Sequence, residues 1–274
     1  MDDRLENCDG RDRSQQMVFC RVNQKEAGLE LRIATYNIHK GESFAYRPII
    51  RELKQAICSL DADIVFLQEV QGRHDRKGEL FAPDWHHKGQ EAYLADMTQY
   101  SAYGKNAVYE FGHHGNALLS VYPIVCHTNT DVSDHSLEQR GILHCKIQAG
   151  PIRIYCYVVH LGLFKGSRIR QAKALINTVN QSAPPGAPII IAGDFNDWQV
   201  NLSGMLREGL GVSEVFDNMD SGPAKTFPAI FPFFRLDRIY TRGFNITGAR
   251  VMQGYPWTRL SDHAPLFATL EIDH

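Results

Sequence analysis

Asn37, Glu69, His160, Asp194, Asn196, Asp237 and the Asp262-His263 pair share one feature. Each stands at, beside or inside an apolar run that a core would otherwise claim. Ile64-Val-Phe-Leu67 leads into Gln68-Glu69, residues 152–159 into His160, and Ile189-Ile-Ile-Ala192 into Gly193-Asp-Phe-Asn196. Asp237 interrupts Arg235-Leu-Asp-Arg-Ile-Tyr240, and Asp262-His263 precedes a last apolar stretch over 265–272. A buried carboxylate has to be paired, hydrogen-bonded or metal-bound, and sites gather where strands end on one edge of a sheet. If Glu69, Asp194, Asp237 and Asp262 converge, each pair about 4 Å apart repels by roughly 4 kcal/mol at an effective dielectric of 20. The nearby cations, Arg238 and Arg140, do not offset that, whereas a divalent ion does. Oxygen donors select Mg²⁺ first and Mn²⁺ next, and Mg²⁺ characteristically works with a phosphate substrate. The chemistry implied is metal-assisted attack of water on phosphorus.

Each of these residues, taken singly, also fits a plain structural role. Glu69 suits a surface or capping carboxylate, the residues from Gly193 to Asp197 suit a turn, Asp262 suits a cap, and His160 suits a satisfied core histidine. Their occurrence together and in order is what argues for a site. The His86-His87 and His113-His114 pairs do not make a zinc centre. Adjacent residues point apart, and no third ligand falls at a workable spacing; His113-His114 remains a pair that can line a pocket rim.

The elements that must position these groups are mostly short strands. Residues 31–36, 64–67, 116–122, 142–147, 152–159, 189–192, 236–240, 246–251 and 265–272 read as strands. Residues 48–60 carry Ile49, Ile50, Leu53, Ile57 and Leu60 at helical spacing, and 168–181 is a second helix, stopped by Pro184-Pro185-Gly186. Residues 71–90 read as a long loop of the kind that is often functional. Many strands with few helices between them predict two packed sheets with helices outside rather than a βαβ alternation. Residues 1–28 are polar and mixed in charge, without the apolar region of a signal peptide. The expectation is a flexible tail over 1–28 and one domain over 29–274.

Composition narrows the class. The chain has 274 residues, and its 29 Lys+Arg against 31 Asp+Glu give a net charge of −2. That balance argues against bulk coating of nucleic acid, which needs a cationic surplus. No apolar run is long enough to span a bilayer. Six cysteines without a CxxC pair or regular spacing point to free thiols and a cytoplasmic location, with Cys58, Cys145 and Cys156 sitting in apolar stretches.

Six segments in order, Thr35-Tyr-Asn-Ile-His-Lys-Gly41, Asp63-Ile-Val-Phe-Leu-Gln-Glu69, His160-Leu161, Gly193-Asp-Phe-Asn196, Leu236-Asp-Arg-Ile239 and Ser261-Asp-His263, resemble the endonuclease/exonuclease/phosphatase superfamily. That superfamily includes DNase I, exonuclease III-type apurinic endonucleases, neutral sphingomyelinases and inositol polyphosphate 5-phosphatases. His113-His-Gly-Asn-Ala117 and Thr226-Phe-Pro228 are similar to a bacterial subgroup of it. The resemblance implies an α/β fold, a four-layer α/β/β/α sandwich of two mixed sheets with helices outside. It implies that Glu69 is the main metal ligand with Asn37 beside it and Asp262 approaching. It also implies that Asp194 orients or deprotonates the attacking water, Asn196 holds a phosphate oxygen and His160 hydrogen-bonds the phosphate. His263, oriented by Asp237, contacts the phosphoryl group. The general base is either Asp194, slightly favoured, or the Asp237–His263 pair. Asn116 and Arg140 are second-tier phosphate contacts. His39 departs from the pattern, because some family nucleases carry an acidic second ligand there.

The leading expectation is therefore a Mg²⁺-dependent phosphohydrolase, most readily a phosphodiesterase, with Mn²⁺ as a substitute ion. Its substrate is a nucleic acid, a phospholipid headgroup or a soluble phosphodiester, and no obligate protein partner is evident. The competing readings are a catalytically silent phosphate-binding module and a metal-free hydrolase using Asp237 and His263. Phe227-Pro-Ala-Ile-Phe-Pro-Phe-Phe234 is expected to be core; if exposed, it favours contact with a membrane surface.

Overall fold

A computed structural model of the chain describes residues 29–43, 47–76, 89–135, 138–217 and 222–273. The expected tail, 1–28, and the His86-His87 pair lie outside the described residues. Among the described residues twelve strands occur in chain order: β1 (Glu30–Asn37), β2 (Ile64–His74), β3 (Tyr100–Tyr109), β4 (Gly112–Ser120), β5 (Ile124–Asp131), β6 (Gly141–Ala149), β7 (Ile152–His160), β8 (Ile189–Asp194), β9 (Ser213–Glu214), β10 (Asp237–Arg242), β11 (Phe244–Val251) and β12 (Leu266–Ile272). The α-helices described in full are α1 (Ile50–Ser59), α2 (Gln90–Leu94), α3 (Lys165–Ser182), α4 (Ser203–Leu210) and α5 (Trp257–Leu260).

The strands form two six-stranded sheets, ordered β11-β12-β1-β2-β4-β3 and β5-β6-β7-β8-β10-β9. Both are mixed, since β1 and β2 run parallel in one and β7 and β8 in the other. Alternation along each strand decides the layers. Ile33, Ile64, Phe66 and Leu266 of the first sheet pack against Leu143, Cys156, Val158, Ile190, Ala192 and Ile239 of the second, forming the inter-sheet core. The opposite faces carry helices. Ala34, Tyr36, Val65 and Leu67 meet Ile50, Leu53, Ile57, Leu94 and Trp257 from α1, α2 and α5. Tyr157, Val159, Ile189 and Ile191 meet Ala172, Leu175, Leu206 and Leu210 from α3 and α4. The result is the expected α/β/β/α sandwich.

Several local expectations need correction. The strand expected to end at Glu69 continues to His74 through a bulge in its pairing with β4 between Leu67 and Val70, so residues 71–74 of the expected loop over 71–90 are strand and Gln90 opens α2, while 77–88 lie outside the described residues. Strands β3 and β5 were not foreseen; β5 is solvent-facing almost throughout, so it lacks the apolar alternation that marks a half-buried strand. Cys145 and Cys156 are buried, but Cys58 is exposed near the end of α1. The segment 227–234 is not core, because Ile230, Phe231, Phe233 and Phe234 are all exposed. No described helix is long and apolar enough to cross a membrane.

Candidate active site

The inter-sheet core stays apolar until its last layer at one end, where the same inward-facing positions turn polar. In β7, Val158 faces the core and His160, two residues on, shares its face; in β8, Ile190 and Ala192 precede Asp194 in the same way. In β10, Asp237 shares a face with Ile239. Strand register then aligns the three, with His160 opposite Asp194 in the parallel pair and Asp237 opposite Asp194 in the antiparallel pair. The first sheet adds Asn37 at the end of β1, on the face of Ile33. Glu69 comes from the bulge. Leu67 and Val70 both pack on the outer core, so the extra residue takes Glu69 off that face with a left-handed backbone, φ 55°. Asn196 is likewise left-handed at φ 50°, and backbone strain of this kind persists where the surroundings over-determine a side-chain direction.

These groups line a cavity of about 550 Å³ whose wall includes Asn37, Glu69, Arg140, His160, Asp194, Asn196 and His263. Asp194 is the hub. Its Oδ2 accepts from Asn37 Nδ2 at 3.1 Å and its Oδ1 accepts the Asn196 backbone N–H at 2.9 Å. His160 Nε2 lies 3.5 Å and His263 Nε2 3.7 Å from Asp194 Oδ2. On its far side, His263 Nδ1 is 2.8 Å from Asp237 Oδ2. The loop before β12 is pinned by Ser261, whose Oγ donates to the Asn37 carbonyl at 2.7 Å and accepts the His263 N–H at 3.2 Å. Asn196 Nδ2 donates to the Leu161 carbonyl at 2.9 Å.

Charge follows from these contacts. Burial pushes the Asp194 carboxyl up to about 6, with the Asp237 charge adding to the effect, although His263 and the Asn196 and Asn37 hydrogen bonds oppose it. Burial also works against charge on His263, but Asp237 and Asp194 outweigh it and raise His263 to about 10. His160 falls well below its ordinary value through burial and the nearby Arg140, so it is neutral. Glu69 is opposed by burial, but Lys40, His114, His39 and His263 hold it below the usual carboxylate range. Lys40 Nζ is 3.9 Å from Glu69 Oε2. His114 is lowered to about 4, by burial first and then by Lys40.

Asp262 and Asn116 do not line the cavity. Asp262 is half-buried beside His263, and its Oδ1 accepts from Ser261 Oγ at 3.2 Å. Asn116 Nδ2 donates to the carbonyls of Gly141 and Val158, tying β4 to the second sheet, while its buried Oδ1 has no partner among the described residues. Arg140 enters the cavity wall with Nη2 3.2 Å from Glu138 Oε1 and Nε on the Leu161 carbonyl. Arg238, read as a cation near the acids, points away. It shares the outer face with Tyr240 and gives its guanidinium to the carbonyls of Arg235, Asp237 and Asp197. His113 and His114 diverge as expected of neighbours in a strand: His113 Nδ1 is 3.0 Å from Tyr103 Oη, whereas His114 lies beside Tyr109 and acts on Glu69.

Sequence reasoning missed the apolar wall. Leu163, Trp198, Phe227, Phe234 and Leu236 line the same cavity. Phe227 and Leu236 lie inside the quoted segments Thr226-Phe-Pro228 and Leu236-Asp-Arg-Ile239, and Trp198 and Leu163 lie within three residues of a motif residue, which are the signals that were available. Lys40, inside the first motif, was also passed over as a partner for Glu69.

As for metals, Asp194, Asp237 and His263 offer ligand atoms within 4.8 Å of one another among the described residues. His263 and Asp237 are already engaged with each other. Glu69 and Asn37 bring hard oxygen donors to the same cavity, a set that suits a hard divalent ion.

A sequence profile for the endonuclease/exonuclease/phosphatase family matches residues 34–263. The uncharacterized protein YbhP of Escherichia coli K12 is 42% identical over 247 residues, covering 88% of this chain and 96% of YbhP. The crystal structure of an endonuclease/exonuclease/phosphatase from Beutenbergia cavernae superposes with a TM-score of 0.75 at 17% identity, covering 89% of this chain and 72% of that one. The mannosyl-6-phosphatase Bt3783 of Bacteroides thetaiotaomicron superposes with a TM-score of 0.64 at 16% identity, over 88% of this chain and 99% of that one. At those identities the two structures speak for the fold.

Proposed function

The chain belongs to the endonuclease/exonuclease/phosphatase family, and on that footing we propose that it is a Mg²⁺-dependent phosphohydrolase that cleaves a phosphodiester by in-line attack of water. The observation that carries this reading is the alignment of His160, Asp194 and Asp237 by strand register, with His263 held between the two carboxylates and Glu69 on the facing wall.

Asp194 is the base. Its carboxylate lines the cavity with an affinity for protons raised to about 6, so near neutral pH it is ionised yet able to accept one. His263 does not compete for that role, because the Asp237 and Asp194 charges keep it protonated. It serves as a fixed cation for the charge that builds on the phosphoryl oxygens. Neutral His160 and the Asn196 amide hold other phosphate oxygens, and Arg140 adds charge at the wall. Glu69 and Asn37 would hold the metal, since both line the cavity whereas Asp262 does not. When bound, the ion neutralises phosphate charge and polarises the P–O bonds. The water oxygen bonds to phosphorus as its proton passes to Asp194. The opposite ester P–O bond breaks, and the leaving oxygen takes its proton from solvent.

The test is hydrolysis of bis(p-nitrophenyl) phosphate beside p-nitrophenyl phosphate, each with Mg²⁺, with Mn²⁺ and with EDTA. The expected result is metal-dependent diester cleavage by the wild type that is lost in Glu69→Ala. Cleavage of the monoester alone moves the protein to the phosphatase branch, and activity that survives EDTA overturns the metal-dependent reading.

A further inference from the structure

The apolar residues around the cavity mouth do not close into a core. Residues 227–234 form a tight hairpin in which the Phe234 N–H donates to the Phe227 carbonyl at 2.9 Å and the Phe227 N–H to the Phe234 carbonyl at 3.3 Å. Its base faces inward, with Phe227 and Phe234 lining the cavity. Its tip faces solvent, with Ile230 75% and Phe231 77% exposed. A second apolar pair, Leu163 and Phe164, is 56% and 64% exposed, and Leu163 lines the same cavity. Aromatic contacts run without a break from the site to the surface. The Phe227 ring is 5.0 Å from His263, Phe234 is 6.4 Å from Phe227, and Phe233 is 4.2 Å from Phe234. Exposed aromatic side chains gathered at one mouth, rather than scattered singly, mark an interaction surface.

Charge says what that surface meets. Neither residues 161–173 nor residues 222–236 contain an Asp or Glu, although the whole chain carries a net −2. Lys165 directly follows Phe164, Lys225 lies two residues before Phe227, and both are exposed. Apolar tips flanked by lysines complement a bilayer with anionic headgroups, where the rings enter the acyl boundary and the lysines stay at the phosphates. The position of the patch favours a bilayer over a protein. A partner protein seated there covers the cavity mouth, whereas a membrane brings phosphate esters to it at headgroup depth.

We propose that the hairpin tip at Ile230 and Phe231, together with Leu163, Phe164 and the flanking lysines, docks the enzyme on an anionic lipid surface. A headgroup phosphodiester then reaches the aromatic-walled cavity. This rests on the hydrolase reading for its substrate, but the docking itself stands apart from it.

The experiment is co-sedimentation of the full chain with phosphatidylcholine vesicles made with and without phosphatidylglycerol. It compares wild type, Ile230→Ser/Phe231→Ser and Lys165→Glu/Lys225→Glu. Thermal melting and hydrolysis of soluble bis(p-nitrophenyl) phosphate are followed in parallel. Wild type is expected to bind the phosphatidylglycerol vesicles, and the tip variant to bind on the order of tenfold to a hundredfold more weakly. The charge variant is expected to lose the preference for phosphatidylglycerol. Melting and soluble-diester turnover should not change, since none of these residues touches the reacting groups. Absence of wild-type binding, or equal binding by the tip variant, overturns the proposal. So does tip-dependent dimerisation in gel filtration without vesicle binding. Tip-dependent binding by a protein that cleaves neither ester leaves docking standing and removes the hydrolase reading instead.

Discussion

Asp194 and Asp237 sit directly opposite each other across antiparallel β8 and β10, and one imidazole bridges them, with His263 Nδ1 2.8 Å from Asp237 Oδ2 and Nε2 3.7 Å from Asp194 Oδ2. His263 holds its proton up to about 10, while Asp194 gives its own up only above about 6. Between those values the cavity presents an anionic base beside a fixed cation, which is the pairing that phosphoryl transfer to water needs.

The pH profile of kcat/KM should therefore be a bell. Asp194 has to be ionised, so activity rises with pH through about 6; His263 has to be protonated, so activity falls as pH approaches about 10. Asp237→Asn removes the main charge that raises His263, so the descending limb should move toward neutral pH while the ascending limb moves slightly down. An unmoved descending limb in that variant means that His263 does not supply the upper ionisation.

Asp194→Asn should cost about 10³-fold or more in kcat without lowering thermal stability at pH 8. Because its folded value lies above that of an unfolded carboxyl, Asp194 favours folding most at low pH. That contribution is lost as pH rises toward and through about 6, leaving a cost on the order of a few kcal/mol at pH 8. The neutral amide avoids that cost while keeping shape. A melting temperature that drops by more than about 5 °C would show that the carboxylate is chiefly structural.

Metal binding should be visible without turnover. Lys40 stands 3.9 Å from Glu69, and an ion that takes over as counter-charge links binding to stability by mass action. Millimolar Mg²⁺ or Mn²⁺ is expected to raise the melting temperature of wild type by a few degrees, and to leave Glu69→Ala unmoved. Calorimetric titration should show the affinity of the variant reduced by about tenfold to a hundredfold. Equal shifts in the two proteins place the ion elsewhere.

What the sequence made legible was chemistry at the ends of strongly apolar strands. Asn37, Glu69, His160, Asp194, Asn196 and His263 were each marked by polar groups where a buried run stops, and all six line one cavity. Less legible was anything decided by local backbone geometry or by the far side of a strand. The Leu67–Val70 bulge that redirects Glu69 has no composition signature, because it amounts to one extra residue where the apolar run gives way to Gln68-Glu69 and the strand continues. Arg238 looked like a neighbour of the acids, but alternation in β10 sends it to the opposite face from Asp237. The hairpin 227–234 was misjudged because apolar content reports a wish for burial and not the presence of a covering layer. Phe227 and Phe234 find the cavity wall, and Ile230 and Phe231 at the tip stay exposed among the described residues.

Gly193 offers a test of whether register, rather than side-chain identity alone, makes the site. It lies in β8 immediately before Asp194, with φ 150°, and a Cβ built on it falls 1.9 Å from the Val159 carbonyl oxygen of β7. Backbone on backbone cannot yield as a flexible side chain does, so Gly193→Ala has to push β7 and β8 apart where His160 is paired with Asp194. The expected cost is on the order of 3 kcal/mol or more of stability, read as a lower denaturation midpoint. A loss of kcat of at least about tenfold should accompany it in the fraction that remains folded, although Gly193 itself touches no substrate. KM should rise as well, because His160, which holds a phosphate oxygen, sits on the displaced ladder, whereas Glu69 and Asn37 belong to the other sheet and keep their places. A variant that is destabilised but fully active per folded molecule would show that the His160–Asp194 alignment tolerates a shifted ladder.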